Sequence, residues 1–132
     1  MRSYHLLVVT PDGTAFDGEC ESLLVKTVDG DVEILAGHMD YMASLGIGRA
    51  RILAGGVSKF AACSGGFLTV SGGEVKLVSV TFEYKEDIDL ARAERAKANA
   101  EERISSAKTD RELSLAKAKL QRALSRIGVA EM

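Results

Sequence analysis

The chain has 132 residues, no tryptophan, one proline, two histidines and two cysteines, and only 5% of it is aromatic. Few aromatics mean that any core must be built from aliphatic side chains. The cysteines, Cys20 and Cys63, form no CxxC and have no histidine at metal-ligand spacing, which excludes a zinc ribbon or a disulfide scaffold. Both lie in alternating apolar stretches and read as buried, reduced thiols of a reducing compartment. Long apolar runs are missing too. Leu6–Val9 is far too short to cross a bilayer. The opening MRSYHLLVV lacks the basic, apolar, then small-residue order of a signal peptide, so a soluble, cytosolic chain is the expectation. Neither sign of charge prevails, with 17 Lys and Arg against 19 Asp and Glu. No global field therefore favours nucleic acid or an anionic membrane surface. The chain contains no GxxxxGK[ST], GxSxG or HExxH, and neither His5 nor His38 has a nucleophile or carboxylate at a recognisable spacing. No catalytic residues and no metal ligands are expected, so the chain is not read as an enzyme by itself.

What is present divides near residue 83. All of the 13 glycines except Gly128, and the single proline, precede it; Ala, Lys, Arg and Glu dominate after it. This change from glycine-punctuated β-branched sequence to helix-forming sequence predicts two units, 1–84 and 85–132. In the first, strands are expected at Tyr4–Val9, Glu21–Val28, Asp31–Leu35, Leu45–Leu53, Lys59–Cys63, Gly66–Val70 and Val75–Val80. Turns are expected at Pro11-Asp12-Gly13, Asp29-Gly30, Gly55-Gly56, Gly65-Gly66 and Gly72-Gly73. Short strands at near-regular spacing predict an antiparallel β-sandwich or barrel.

The second unit predicts an antiparallel two-helix hairpin. Asp87 caps a helix from Ile88, with Asp89 in its first turn. Ala93, Ala96, Ala100 and Ile104 form its apolar stripe. Ser105–Asp110 breaks the pattern. Thr109-Asp110-Arg111-Glu112 is a capping box for a second helix striped by Leu113, Ala116, Leu120, Leu124 and Ile127 and ended by Gly128. Alanine-rich stripes bury little area, and at about 25 cal/mol per Å² such a hairpin is weakly self-sufficient. It needs a surface to lean on, and the pattern suits a mobile arm as well as a permanently docked one.

Two constellations stand out. The segment EILAGHMDYM places His38, Met39, Tyr41 and Met42 beside a glycine after a short strand, and exposed Met and Tyr suit a contact surface; folding back into the sandwich is the alternative. In the hairpin, Arg92 at the start of helix one lies beside Arg122 and Arg126 near the end of helix two. Three guanidiniums there suit phosphate oxygens. Asp89 can accept from a base amino group, and Ile88 and Ala93 offer a flat apolar seat. A solvated basic face is the competing reading.

At these residues the chain resembles the epsilon subunit of bacterial F-type ATP synthase, over essentially its whole length. YHLLVVTPDGTAFDGECESLLVKTVDGDVEILAGH is similar to the family's opening strands. Asp29–Asp40 corresponds to its glycine-rich turn and GxxPGHxP loop, and SGGFLTV (Ser64–Val70) to its SGG-F-x-x-V strand. IDLARA (Ile88–Ala93) matches the [IL]DxxRA motif of ATP-binding members, whose ending RALSRIGVAEM also resembles. The resemblance implies a non-catalytic central-stalk subunit that couples rotor rotation to ATP synthesis, with its sandwich on the gamma subunit and the loop around His38 facing the c-ring. The expected location is peripheral, on the cytoplasmic face of the bacterial cell membrane, with membrane contact only through the complex. The hairpin would fold or extend. Extended, it would reach the alpha and beta subunits and block hydrolysis; folded, it would bind ATP, with or without magnesium. That regulatory site would comprise Glu83, Ile88, Asp89, Arg92, Ala93, Arg122 and Arg126. Ala36 and Asp40 stand where the loop usually has prolines and Glu33 where glycine is common, which implies a less rigid loop. Asn99 replaces a frequent arginine, which implies weaker ATP binding. The alternatives are a rotor subunit without ATP sensing, or a free-standing small-molecule-binding β-domain.

Overall fold

A computed structural model describes residues 2–132. Seven strands come first: β1 (Tyr4–Thr10), β2 (Gly13–Cys20), β3 (Ser22–Thr27), β4 (Gly30–Leu35), β5 (Tyr41–Ala54), β6 (Val57–Ser71) and β7 (Glu74–Tyr84). A single 3-10 turn, Lys85–Asp87, leads to α1 (Leu90–Ser106) and α2 (Asp110–Ala130). The strands form one sheet in the order β2-β1-β7-β6-β5-β3-β4. That sheet folds over on itself. The Tyr4 hydroxyl on β1 donates to the Ile34 carbonyl on β4, 2.6 Å away, although these strands lie near opposite ends of the order. Burial also pushes the Tyr4 phenol far above its usual pKa, so the donor keeps its proton. Leu6, Val8, Leu23, Val25, Ile34, Ile52, Leu68 and Leu77 fill the space between the layers. The expected β-sandwich followed by a helical hairpin is the observed architecture.

Several details differ from the sequence reading. β1 pairs with β7 in parallel, so the sheet is not antiparallel throughout. β2 was not expected as a strand. GTAFDGEC has weak alternation because it is an exposed edge, and it is defined by its ladder to β1 rather than by its own pattern. Tyr41 and Met42 begin β5 rather than ending a loop. Gly65-Gly66 is no hairpin turn, since β6 runs through it in unbroken register with β7, Ser64 opposite Thr81 and Gly66 opposite Ser79. Both glycines have positive φ, +70° and +98°, and a Cβ on Gly66 would sit 1.9 Å from the Val78 carbonyl oxygen. The glycine pair thus permits a sharp bend in a long strand where the two backbones touch. The altered loop is tied down in its own way. Asp40 accepts from the Gly72 N–H at 3.0 Å. Glu33 pairs across β3 with Arg51 at 2.7 Å, and its carboxyl is held low chiefly by the Ser22 hydroxyl and then by Arg51.

The hairpin also departs from expectation at its ends. Asp89, not Asp87, is the N-cap of α1, and its Oδ1 accepts from the Arg92 N–H at 3.1 Å. Asp87 is taken up by the 3-10 turn. Thr109 caps α2 as expected, accepting from Glu112 N–H at 3.1 Å. Glu112 reaches back to the Lys108 N–H instead of to Thr109, at 2.9 Å. Gly128 lies within α2, where open space around it leaves the helix undisturbed. Ala93 and Ala100 of α1 and Ala116 and Ala123 of α2 are buried, so the helices meet on alanine. Leu124 is exposed, because Ala123 takes the inward position.

On the outer face of the sheet, His5 sits between two carboxylates. Its Nδ1 lies 2.6 Å from Glu74 on β7, and its Nε2 lies 2.6 Å from Asp17 on β2. Bonding to Asp17, then to Glu74, raises its pKa above the ordinary histidine value. The imidazolium therefore clasps three strands while protonated. Its contribution is complete below about pH 6.5, the unfolded value, and is lost as pH rises through the higher folded value. Thermal melts of wild type and His5→Gln should show a stability gap that narrows as the pH rises above about 6.5; a gap that widens would contradict the clasp. For the bend, Gly66→Ala should lower the urea unfolding free energy by about 3 kcal/mol or more. Gly72→Ala, at an open turn position with φ +57°, should cost only about 1–2 kcal/mol.

Candidate functional site

Four consecutive residues of β6, Ala61 to Ser64, are buried. Strand residues alternate faces, so both faces are covered here: one by the core and the other by α2, which lies across β5 and β6. The platform under α2 is built mainly of small groups, among them Gly48, Ala62 and Ser64, together with Ile47, and Val129 is the large apolar residue that α2 buries. None of the hairpin's buried residues joins the sandwich's apolar cluster among the described residues. Instead the contact is polar. Arg126 Nε on α2 donates to Glu83 Oε1 on β7 at 2.7 Å, with both side chains about two-thirds covered. Lys85 Nζ donates to the Met132 carbonyl. The Ser125 hydroxyl is buried in the interface with no protein partner among the described residues, which subtracts from docking. Cys63 lies against this interface, and burial pushes its thiol pKa up, so it stays protonated and unreactive.

Where the hairpin crosses the end of β7, a cleft of about 420 Å³ opens. Its walls come from both units. β7 supplies Val80 to Glu83, the β1–β2 turn supplies Thr10 and Asp12, α1 supplies Asp89, Arg92, Ala93 and Ala96, and α2 supplies Arg126. The capped N-terminus of α1 stands at this cleft, so its partial positive charge adds to the two guanidiniums. Four carboxylates, Asp12, Glu83, Asp87 and Asp89, line the rest. An anionic tail near Arg92 and Arg126 together with a hydrogen-bond donor near the carboxylates is the ligand such a division of charge suits. Phe82 and Val80 provide apolar surface for a flat ring.

Of the residues singled out in the sequence, Glu83, Asp89, Arg92, Ala93 and Arg126 share this cleft. Ile88 is half-buried beside it but does not line it, and its N–H bonds the Lys85 carbonyl. Arg122 lines an adjoining groove rather than the cleft, with Arg126 common to both. Asp12, Thr10 and Asp87 were not anticipated; only the fold brings the β1–β2 turn to α1, and no spacing along the chain signals it. At the far loop, Met39 and Met42 are strongly exposed, whereas His38 and Tyr41 are half-buried and stack edge-to-face with centroids 5.6 Å apart. Val28, Leu35 and Phe67 are further exposed apolar side chains of the sandwich. Among the described residues no cluster of His, Cys, Asp or Glu could hold a metal, and no helix is long and apolar enough to cross a membrane.

Comparison with known proteins covers nearly the whole chain. Residues 3–85 match the model of the ATP synthase delta/epsilon chain β-sandwich domain, and residues 86–131 match that of its long α-helix domain. The ATP synthase epsilon chain of Shouchella clausii is 38% identical over 131 residues, covering 99% of this chain and 97% of that one. The epsilon chain of Ruminococcus albus is 39% identical over 131 residues, covering 98% of each. Among solved structures, a chain of the Euglena gracilis mitochondrial ATP synthase, OSCP/F1/c-ring, superposes with TM-score 0.85 at 21% identity, over 98% of this chain and 82% of that chain. A chain of the Tetrahymena thermophila central stalk/c-ring structure does so with TM-score 0.72 at 16% identity, over 96% and 95%. These two show the fold.

The Arg126–Glu83 pair carries a direct expectation. Partly exposed, it should contribute about 1 kcal/mol to docking. Glu83→Gln and Arg126→Gln should each speed amide exchange in α1 and α2 about fivefold, with no further gain when combined, while β-core amides are unaffected. Unchanged helix exchange would show that the pair does not hold the hairpin.

Proposed function

Because this chain belongs to the ATP synthase delta/epsilon family, we propose that its docked hairpin is one position of a mobile arm that ATP holds down. As a family member it is a non-catalytic subunit of the central stalk of F-type ATP synthase. The reading beyond that rests on one observation: the cleft has walls from both the sandwich and the hairpin, so it is complete only with the arm docked. A ligand that binds this cleft binds only the docked state and stabilises it by RT ln(1 + [L]/Kd). The adenine ring takes the apolar wall of Val80 and Phe82 beside Ala93, with its amino group toward the carboxylates. The triphosphate lies toward Arg92, Arg126 and Arg122. Magnesium arrives with the phosphates rather than in a site of protein ligands. When ATP is scarce the arm leaves, and its helices reach the alpha and beta subunits and block wasteful hydrolysis. The sandwich meanwhile stays on the rotor, with the gamma subunit and the c-ring as partners. Met39 and Met42, with His38 and Tyr41 behind them, form part of that contact. On this reading the chain works at the cytoplasmic face of the bacterial membrane, attached through the complex alone.

A second reading has a specific observation in its favour. Glu83 already neutralises Arg126 without a nucleotide, so docking could be a constitutive state of the rotor subunit. Isothermal titration of the full chain separates the two. Saturable heat with ATP, weakened about tenfold or more in Arg92→Ala, supports the sensor. Absence of heat at millimolar ATP leaves docking without a sensor. For the brake, removal of residues 85–132 should raise ATP hydrolysis by the reconstituted enzyme at low ATP; an unchanged rate would contradict it.

A further inference from the structure

The cleft does not end at Arg126. A second depression, of about 250 Å³, continues from it along the seam between the two helices, lined by Ala96, Asn99, Ala100, Arg103, Lys119, Arg122 and Arg126. Ala96 and Arg126 belong to both spaces, so the two adjoin. Their charge differs sharply. The cleft mixes guanidiniums with four carboxylates, whereas the seam holds four cations, two alanines, one amide and no carboxylate. Arg92, Ala96, Asn99 and Arg103 follow one another at three- and four-residue steps along α1, and Lys119, Arg122 and Arg126 do so along α2. In an antiparallel pair these stripes face each other across the seam. Arg103, Lys119 and Arg122 make no ion pair among the described residues. Glu112, which shares a neighbouring surface with Arg103 and Lys119, accepts from the Lys108 N–H and makes no ion pair with either among the described residues. Gathering unpaired like charges costs stability, and an anion laid along the seam would offset that cost.

The length of the stripe decides which anion. Arg92 and Arg103 are 11 positions apart, which at 1.5 Å per residue is about 16 Å along the axis. A triphosphate spans less than two turns of helix, so one anchored near Arg92 and Arg126 ends around Arg122 and leaves Arg103 and Lys119 unused. We propose that the seam extends the nucleotide cleft into a site for linear phosphate chains longer than three. The inference rests on the nucleotide reading of the cleft and adds a length preference to it. The Asn99 amide, midway along the seam, donates to a bridging or terminal oxygen without adding charge. Half-buried Ala96 and buried Ala100 keep the floor low, which suits a narrow unbranched chain.

Titration of the full chain with ATP, adenosine 5′-tetraphosphate and bare long-chain polyphosphate tests this. In the wild type the tetraphosphate should bind about tenfold more tightly than ATP. In Arg103→Gln/Lys119→Gln that ratio should fall to about one, and Arg103→Lys should restore most of it. Both positions are exposed, so the fold is preserved, and helical circular dichroism verifies it. Bare polyphosphate that displaces the nucleotide at comparable concentration identifies an inorganic chain as ligand. Failure to displace it identifies a nucleoside polyphosphate; both support the extended site. Equal affinities for ATP and tetraphosphate in the wild type, or a ratio unchanged in the double variant, overturn it while leaving the ATP reading intact. Absence of binding by either nucleotide overturns the ATP reading itself.

Discussion

The hairpin rests on the sandwich through one ionic contact and very little apolar surface, and the behaviour of the molecule follows from that. Arg126 meets Glu83 at 2.7 Å, Lys85 meets the chain end at Met132, and Val129 is the main apolar anchor. Beneath α2 the sheet offers mainly small groups, Gly48, Ala62 and Ser64, with Ile47 as the large apolar side chain among them. An interface of small and polar groups gains little from excluding water and loses little when water returns. The sandwich differs. Its core closes from Tyr4 near one end of the sheet to Ile34 at the other without any residue from the hairpin. One part of the chain is therefore held by its own packing, and the other by contacts that a ligand can outweigh.

Placing the ligand cleft on that weak seam is what gives the cleft a regulatory meaning. A pocket inside the sandwich would report nothing about the arm. A pocket with walls on β7, α1 and α2 couples occupancy to docking by mass action, with no further mechanism required. The same residue, Arg126, serves both the ion pair and the cleft. A bound phosphate would share that guanidinium with Glu83, and its several donors allow both at once.

Much of this was legible in the sequence because it is written in local chemistry. The change from glycine-rich alternation to alanine-rich helical spacing marked the β-to-α order, and Thr109 with Glu112 marked the start of α2. Where the reading failed, tertiary contacts had decided the outcome. Gly65-Gly66 has the signature of a turn, yet it bends a strand, because what requires glycine there is the Val78 carbonyl on the neighbouring strand. β2 is a strand because β1 pairs with it, not because GTAFDGEC alternates. Asp87 and Asp89 both fit a cap; the 3-10 turn chose between them. In the site, helical spacing grouped Asp89, Arg92, Ala93 and Arg126, which line the cleft, with Ile88 and Arg122, which lie beside it. It gave no sign of Asp12, which reaches the cleft because β1 pairs in parallel with β7.

The central claim is that arm position is set by a weak polar seam that a bound nucleotide reinforces. It is tested most directly by the distance distribution between two spin labels on the full chain, one at Ser58 beside the β5–β6 turn and one at Ser114 on the outer face of α2. The account predicts a broad distribution without nucleotide that collapses to the one narrow distance of the docked arm on adding ATP, and that broadens further in Glu83→Gln. A distribution that is narrow from the start and indifferent to both ATP and Glu83 would contradict it.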